Sequence, residues 1–126
     1  MNLKKAIVGI MSLDRYKERT IAIARGQYKP KKREPKIWFT SIKSLASVLS
    51  EENQKLLKLI IKEEPQSVSE LEILTGRKAN NILRTLRKME QYGLVELRES
   101  KKHQRGRAPL IPRALYDEFD IELSLV

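Results

Sequence analysis

The chain contains no cysteine, which excludes disulfide bonds, thiolate zinc sites, iron–sulfur clusters and cysteine nucleophiles. Its only histidine, His103, leaves no histidine cluster for a metal ion. An acid–base pair, a nucleophile motif and a glycine-rich phosphate loop are also missing, so we expect no catalytic residues, no cofactor and no enzyme activity. No apolar run approaches the roughly 20 residues that span a bilayer. The short run Ala6–Met11 lacks the cleavage site of a signal peptide, so we expect a cytoplasmic protein.

Basic charge is abundant and unevenly distributed. The chain has 126 residues, with 26 Lys and Arg against 16 Asp and Glu, and a net charge of +10. Residues 1–40 hold eleven basic and three acidic side chains, and residues 67–113 hold eleven and five. Residues 41–66 are neutral, whereas residues 114–126 hold four acids and no base. Two basic blocks favour electrostatic capture of nucleic acid, and the alternative is a lysine-rich surface that only aids solubility.

Capping residues and apolar spacing predict five helices. They run from Ser12 to Gly26, from Thr40 or Ser41 to about Leu49, from Ser50 to Pro65, from Ser67 to Gly76, and from about Lys78 to Tyr92. The third helix is apolar over most of its circumference, so we expect it to be the central core helix. Ser67 and Glu70 form a capping box, in which Glu70 reaches back to the backbone of the cap. Leu71 and Leu74 are predicted to face inward.

Short strands are predicted at Ile37–Thr40, Leu94–Arg98 and Leu110–Ile111, with a last alternating segment at Ile121–Leu125. The fold class is therefore mainly α with a small β-hairpin, that is, α+β. Residues 28–36 hold two prolines and repelling charges, so this segment should run extended. Met1–Ile10 is predicted to be a disordered extension or to result from an upstream start. The predicted units are 1–36 (a helix and a basic arm), 37–113 (the DNA-binding domain) and 114–126 (an acidic segment).

The helix at 78–92 carries the clearest chemical signal. At 100° per residue its apolar stripe collects on one side, and the residues of that stripe are Ala79, Ile82, Leu83, Leu86 and Met89. The opposite side holds no acid. Asparagine pairs with adenine and arginine with guanine in the major groove, so we expect this side to read bases through Arg77, Asn80, Asn81, Arg84 and Thr85. The alternative is an ordinary solvated helix face.

The loop at 101–107 joins two predicted strands and carries four fixed basic charges, which is typical of a wing that contacts the DNA backbone or minor groove. The alternative is a charged turn that contacts nothing. His103 is interpreted as a neutral or phosphate-facing loop residue. Together the helix and the loop supply the expected phosphate contacts, which are Lys78, Arg87, Lys88, Lys101, Lys102, Arg105 and Arg107.

Two further groups of residues have candidate roles. Lys31, Lys32 and Arg33 form a basic arm that is expected either to contact DNA or to act as a solvated linker. The first helix has no obvious core partner, so Tyr16, Ile21 and Ala24 are candidates for a dimer interface. Trp38 and Phe39 are interpreted as core or dimer-interface residues rather than as a platform on which bases stack.

Residues 75–95, TGRKANNILRTLRKMEQYGLV, resemble the winged helix-turn-helix regulators of the broad MarR/ArsR-like type. Residues 12–124 look like a small prokaryotic group of predicted transcriptional regulators that are also labelled antitoxin-like DNA-binding proteins. The segments that carry this second resemblance are 16–19, 24–26, 35–41 and 115–117. The resemblance implies a winged helix-turn-helix fold with an N-terminal extension. It also implies recognition-helix and wing roles for Arg77, Asn80, Asn81, Arg84 and Arg107.

The expected function is that of a homodimeric, nucleoid-associated transcriptional regulator that binds specific sequences of double-stranded DNA. One alternative is an antitoxin or protein-binding module whose main partner is another protein, such as a toxin. A winged helix that serves as a protein or RNA adaptor is a further alternative, because the fold alone does not fix the partner.

Overall fold

The computed structural model describes residues 3–101 and 108–125. Five helices and five strands lie within these residues, so the fold is α+β as predicted. In chain order the elements are β1 (Lys4–Ile10), α1 (Leu13–Ala24), β2 (Ile37–Phe39), α2 (Ile42–Val48), α3 (Glu51–Glu63), α4 (Val68–Thr75), α5 (Ala79–Gln91), β3 (Val95–Glu99), β4 (Leu110–Ala114) and β5 (Tyr116–Leu123). None of these five helices is both long and apolar enough to cross a membrane.

The helix boundaries follow local capping chemistry, and the predicted helices are confirmed to within a few residues. The hydroxyl of Ser12 accepts a hydrogen bond from the Arg15 amide, and that of Ser50 accepts one from the Asn53 amide. Such caps satisfy backbone N–H groups that the first turn leaves unpaired. Gly76 ends α4 with φ of +74°, a left-handed conformation that glycine adopts without steric cost.

Three details of the predicted helices were wrong. The Glu70 carboxylate accepts from the amide of Gln66, one residue before the position expected for a capping box. Leu74 is 47% exposed, because the short helix α4 meets the core along a narrow line through Leu71. The predicted central core helix, α3, is not buried all round, because Ile61 is 38% exposed, and Ile42 of α2 is 58% exposed.

The largest departure from the sequence prediction is β1. Met1–Ile10 was expected to be a disordered extension or to result from an upstream start, but residues 4–10 form the middle strand of a parallel sheet with the order β2-β1-β5. Ala6, Val8 and Ile10 are buried on one face of this strand. The two strands that flank β1 both come later in the chain, β2 before α2 and β5 at the C-terminal end. Each of the three predicted segments, 1–36, 37–113 and 114–126, therefore contributes one strand to this sheet.

The core lies between this sheet and the helices α2, α3 and α5. Phe39 is 1% exposed, and its ring stacks on that of Tyr92 with a centroid distance of 4.2 Å. Of the two places that the sequence left open for Phe39, it occupies the core. The second sheet is the antiparallel pair β3-β4, in which Glu99 is opposite Leu110.

The opposite face of the three-stranded sheet is covered more sparsely. Trp38 lies across Gly9, its neighbour in β1, and the centroid of its ring is 6.4 Å from that of the Tyr16 ring. The Arg19 guanidinium lies 5.0 Å from the centroid of the Trp38 ring. On the other side of β1, Lys5 forms a 3.1 Å ion pair with Asp120 of β5. The Asp120 carboxylate raises the pKa of Lys5, first by accepting its hydrogen bond and then by its charge.

The segment between α1 and β2 does not run extended, contrary to the prediction. A turn lies at residues 32–33, closed by a hydrogen bond from the Glu34 amide to the Lys31 carbonyl. The Glu34 carboxylate then accepts a 2.8 Å charged hydrogen bond from Arg19, with both side chains less than one-fifth exposed. Pro35 is buried. The ion pair of Glu34 with Arg19 fastens this segment to α1, and this attachment outweighs the repulsion among its basic residues.

Candidate nucleic-acid interface

Helix α5 is anchored by one face and exposed on the other. Ile82, Leu86 and Met89 are fully buried, which fixes the rotation of the helix about its own axis. At 100° per residue, the positions on the opposite side of the helix must face away from the core. The side chains of Asn80, Asn81, Arg84, Lys88 and Gln91 are accordingly exposed. The sequence predicted this division of the helix, and the burial pattern confirms it.

Positive charge dominates the exposed face. Arg84 and Lys88 lie one turn apart, Arg87 precedes Lys88, and Glu90 is the only acid in α5. Glu90 accepts a 3.2 Å hydrogen bond from Arg87 and so offsets part of that charge. Lys88 lies 5.9 Å from the centroid of the Tyr92 ring. Arg84 has no ion pair within the part of the chain that the structure describes, so its guanidinium is available to an external partner.

Arg77 differs from the other predicted base-reading residues because its side chain is engaged within the chain. Its Nε donates to Oδ1 of Asn81 at 2.9 Å, and one terminal nitrogen donates to the Thr85 hydroxyl at 2.9 Å. The other terminal nitrogen lies 3.4 Å from Oδ1 of Asn53. The role of Arg77 in reading bases stays a prediction, and in this conformation its guanidinium lies along α5 rather than projecting from it.

Asn53 connects this cluster to the rest of the fold. The side-chain nitrogen of Asn53, Nδ2, donates to the backbone carbonyl oxygen of Val48 at 3.0 Å and lies 3.4 Å from the backbone carbonyl oxygen of Ser47. One side chain therefore links the end of α2, the start of α3 and the guanidinium of Arg77. The spacing of residues 77, 81 and 85 could have indicated the contacts along α5. No local pattern indicates the contact with Asn53, which is 24 residues earlier in the chain.

A groove of about 460 Å³ runs beside the exposed face, between α5 and the junction of α2 and α3. Three basic side chains contribute to it, and no acidic one does. The lining residues are Ser47, Val48, Asn53, Arg84, Thr85, Arg87, Lys88, Met89 and Gln91. Polar and basic walls suit a phosphate-bearing partner more than an apolar one.

The β3-β4 hairpin follows α5 directly and is closed by a 2.8 Å hydrogen bond from the Ser100 amide to the Pro109 carbonyl. Lys101 is exposed at its tip. The other predicted residues of the basic loop, which are Lys102, His103, Arg105 and Arg107, lie outside the described residues. Arg98 of β3 donates to Glu96 at 3.0 Å. This hydrogen bond lowers the pKa of Glu96 and raises that of Arg98.

The other predicted contacts are placed as follows. Lys78 is exposed and precedes α5 as its N-cap, without a side-chain cap bond. Lys31, Lys32 and Arg33 are exposed at the turn before β2. Tyr16 and Ile21 are 37% and 50% exposed, and no residue of α1 is buried. Ala24 is exposed at the end of α1, and Trp38 is half-buried. Of the candidate dimer residues on α1, Ile21 and Ala24 are thus exposed, whereas Tyr16 is partly covered by Trp38.

Metal-binding geometry is not found in the described ranges, which hold no cluster of three or more His, Cys, Asp or Glu side chains. The described part of the chain is an α+β framework whose helix α5 presents an exposed face with basic and side-chain amide groups.

Residues 48–121, more than half of the chain, match the model of the family described as HVO_A0114, and the chain belongs to this family. No curated protein and no solved structure matches the chain.

Proposed function

We propose that the chain is a transcriptional regulator of the winged helix-turn-helix type that binds specific sequences of double-stranded DNA. In this proposal α4 and α5 form the helix-turn-helix, α5 enters the major groove, and the β3-β4 hairpin is the wing. The observation that carries the proposal is the exposed side of α5, where Asn80 and Arg84 face solvent while the opposite side is fixed in the core.

The dimensions of α5 suit this docking. Thirteen residues give a helix of about 20 Å, and the major groove, about 12 Å wide, admits an α-helix. Asn80 and Arg84 are one turn apart, which is about 6 Å along the helix axis. Base pairs are stacked about 3.4 Å apart, so the two side chains would contact bases roughly two steps apart. The amide of Asn80 pairs best with adenine and the guanidinium of Arg84 with guanine.

Phosphate contacts would come from basic residues around this face. Lys78, Arg87, Lys88 and Lys101 are exposed in the structure, and the sequence adds Lys102, Arg105 and Arg107 of the loop. The turn at Lys31–Arg33 is a further candidate contact. These residues fix the position of the protein on the duplex, and the base contacts supply sequence preference.

The proposed assembly is a homodimer in the cytoplasm, associated with the nucleoid. Its support is the uncovered face of α1, on which Leu13, Tyr16 and Ile21 are between 37% and 50% exposed. A two-fold dimer would place two copies of α5 in successive major grooves, about 34 Å apart. Selection of bound sequences from a random pool of duplexes would then return two symmetric half-sites about one helical turn apart.

The decisive test measures affinity for a selected duplex by fluorescence anisotropy between 50 and 300 mM salt. About six phosphate contacts predict a slope of log K against log salt near −5. Arg84→Ala should weaken binding to the selected site by roughly 1–3 kcal/mol and reduce its sequence preference. Lys88→Ala, one turn further along the same face, should weaken all sequences equally. An affinity that does not change with salt would contradict the proposed DNA binding. Identical behaviour of the two variants would contradict the assignment of Arg84 to base contacts and Lys88 to phosphate contacts.

A second candidate function is a protein-binding module, such as an antitoxin. The observation that favours it is again α1, a twelve-residue helix with no buried residue. A chain that sediments as a monomer and shows no salt-dependent DNA binding would favour this candidate. Symmetric half-sites in the selected DNA would favour the regulator.

A further inference from the structure

Arg77 and Asn81 form a pair in which one side chain limits what the other can recognise. An asparagine side chain offers one carbonyl oxygen as an acceptor and one NH₂ group with two donor hydrogens. Nε–H of Arg77 points at the carbonyl oxygen of Asn81 with a separation of 2.9 Å. A hydrogen bond with a charged donor is stronger than a neutral one. The carbonyl oxygen of Asn81 has two lone pairs, one of which is engaged by this charged donor, and the guanidinium beside it repels the hydrogen of a second N–H donor. The NH₂ group of Asn81 remains for an outside partner.

The major-groove edges of adenine and guanine differ in whether they require an acceptor from asparagine. Adenine presents the N7 acceptor beside the N6 donor, so a bidentate contact requires both groups of asparagine. Guanine presents two acceptors, N7 and O6. We propose that Arg77 is a positioning residue that makes Asn81 act mainly as a donor, which favours guanine over adenine. The proposal rests on the proposed DNA-binding function and adds the base preference at one contact.

The guanidinium of Arg77 is held from three directions, which keeps this arrangement in place. Besides Asn81, it donates to the Thr85 hydroxyl at 2.9 Å and approaches the Asn53 carbonyl oxygen at 3.4 Å. Asn53 is itself fixed by its hydrogen bond to the Val48 carbonyl at 3.0 Å. A second donor at the same oxygen, such as N6–H of adenine, would have to approach a guanidinium that the other contacts hold in position.

Asn80 provides a matched comparison within the same turn. Its side chain is exposed, and no hydrogen bond among residues 3–101 and 108–125 engages its amide. Asn80 keeps both its donor and its acceptor, so it retains the usual pairing with adenine. Two adjacent asparagines on one helix are thus expected to prefer different bases.

The test selects bound duplexes from a random pool with the wild-type chain and with Asn81→Ala, Asn80→Ala and Arg77→Met. The position whose preference is lost in Asn81→Ala and kept in Asn80→Ala is the one that Asn81 contacts. There the wild type should prefer guanine over adenine by roughly tenfold or more. Arg77→Met, which keeps the alkyl chain and removes the donors, should bring this ratio close to one or reverse it. The preference at the Asn80 position should not change.

A measurement without DNA separates this inference from the proposed function. In NMR spectra, exchange of the Arg77 Nε–H with water should be slow in the wild type and in Asn81→Asp, which keeps an acceptor. It should become several-fold faster in Asn81→Ala. Equal exchange in all three would overturn the inference, as would an adenine preference at the Asn81 position or an unchanged ratio in Arg77→Met. Slow exchange in a protein that selects no DNA sequence would instead overturn the proposed function, and the base preference with it.

Discussion

Substitution of Gly9 by alanine tests the packing of the sparsely covered face of the parallel sheet. A Cβ atom on Gly9 would lie 2.8 Å from Cη2 of Trp38 and closer still to Cζ3. Carbon atoms in favourable contact are about 3.5–4.0 Å apart, so the indole ring must move. Overpacking of this kind costs roughly 1–3 kcal/mol. Displacement of the ring from Arg19, 5.0 Å away, would lose about 0.5–1 kcal/mol more. We expect Gly9→Ala to lower the free energy of unfolding by about 1.5–4 kcal/mol.

A double-mutant cycle with Trp38→Leu isolates this contact. Leucine lacks the six-membered ring, so Gly9→Ala should cost less than about 0.5 kcal/mol in that background. Urea unfolding should be followed by circular dichroism, because Trp38 is the only tryptophan and its removal abolishes a fluorescence signal. Gly26→Ala is the control, since φ is +71° there and no atom lies within 4 Å of the added Cβ. Its cost comes from the left-handed backbone and should be equal in both backgrounds. The same independence for Gly9→Ala would refute the argument.

Two further predictions concern contacts that organise the fold, and both are measured by the same unfolding assay. Glu34→Gln removes the charge that faces Arg19 in a pair less than one-fifth exposed, and should cost about 1–2 kcal/mol. Asp120→Asn, in a pair that is half exposed, should cost less, and equal losses would contradict a role for burial. Phe39→Leu removes the ring stacked on Tyr92 and should cost about 1–2 kcal/mol. The cost should be smaller when Tyr92 is also leucine, and full additivity would mean that the stacking contributes nothing.

Features that depend on local chemistry could be predicted from the sequence. The helix caps at Ser12 and Ser50, and the buried stripe through Ile82 and Leu86, each depend on residues within a few positions of one another. Strand β3 also followed from local alternation, whereas β4 was predicted only as Leu110–Ile111 and extends to Ala114. These signals act in the unfolded chain as well as in the folded one, so they can be read without knowledge of the tertiary structure.

Features that depend on distant partners could not be predicted. A central parallel strand reads as a continuous apolar run, and the run from Ala6 to Met11 was too short to be assigned without its neighbours. Those neighbours are β2 and β5, and the second pairs with β1 across more than 100 residues. The engagement of Arg77 was missed for a similar reason, because its third partner, Asn53, belongs to another helix.

The pairing of β1 with β5 limits how this molecule can be dissected. The stretch 48–121 that matches the family model contains most of β5 but leaves out β1, its hydrogen-bonded neighbour in the described sheet. A fragment cut to that stretch would present an unpaired strand edge and uncover Phe119, which packs against the core. Such a fragment is prone to self-association through this edge. Oligomers observed with it would therefore result from the truncation and would not indicate the native assembly.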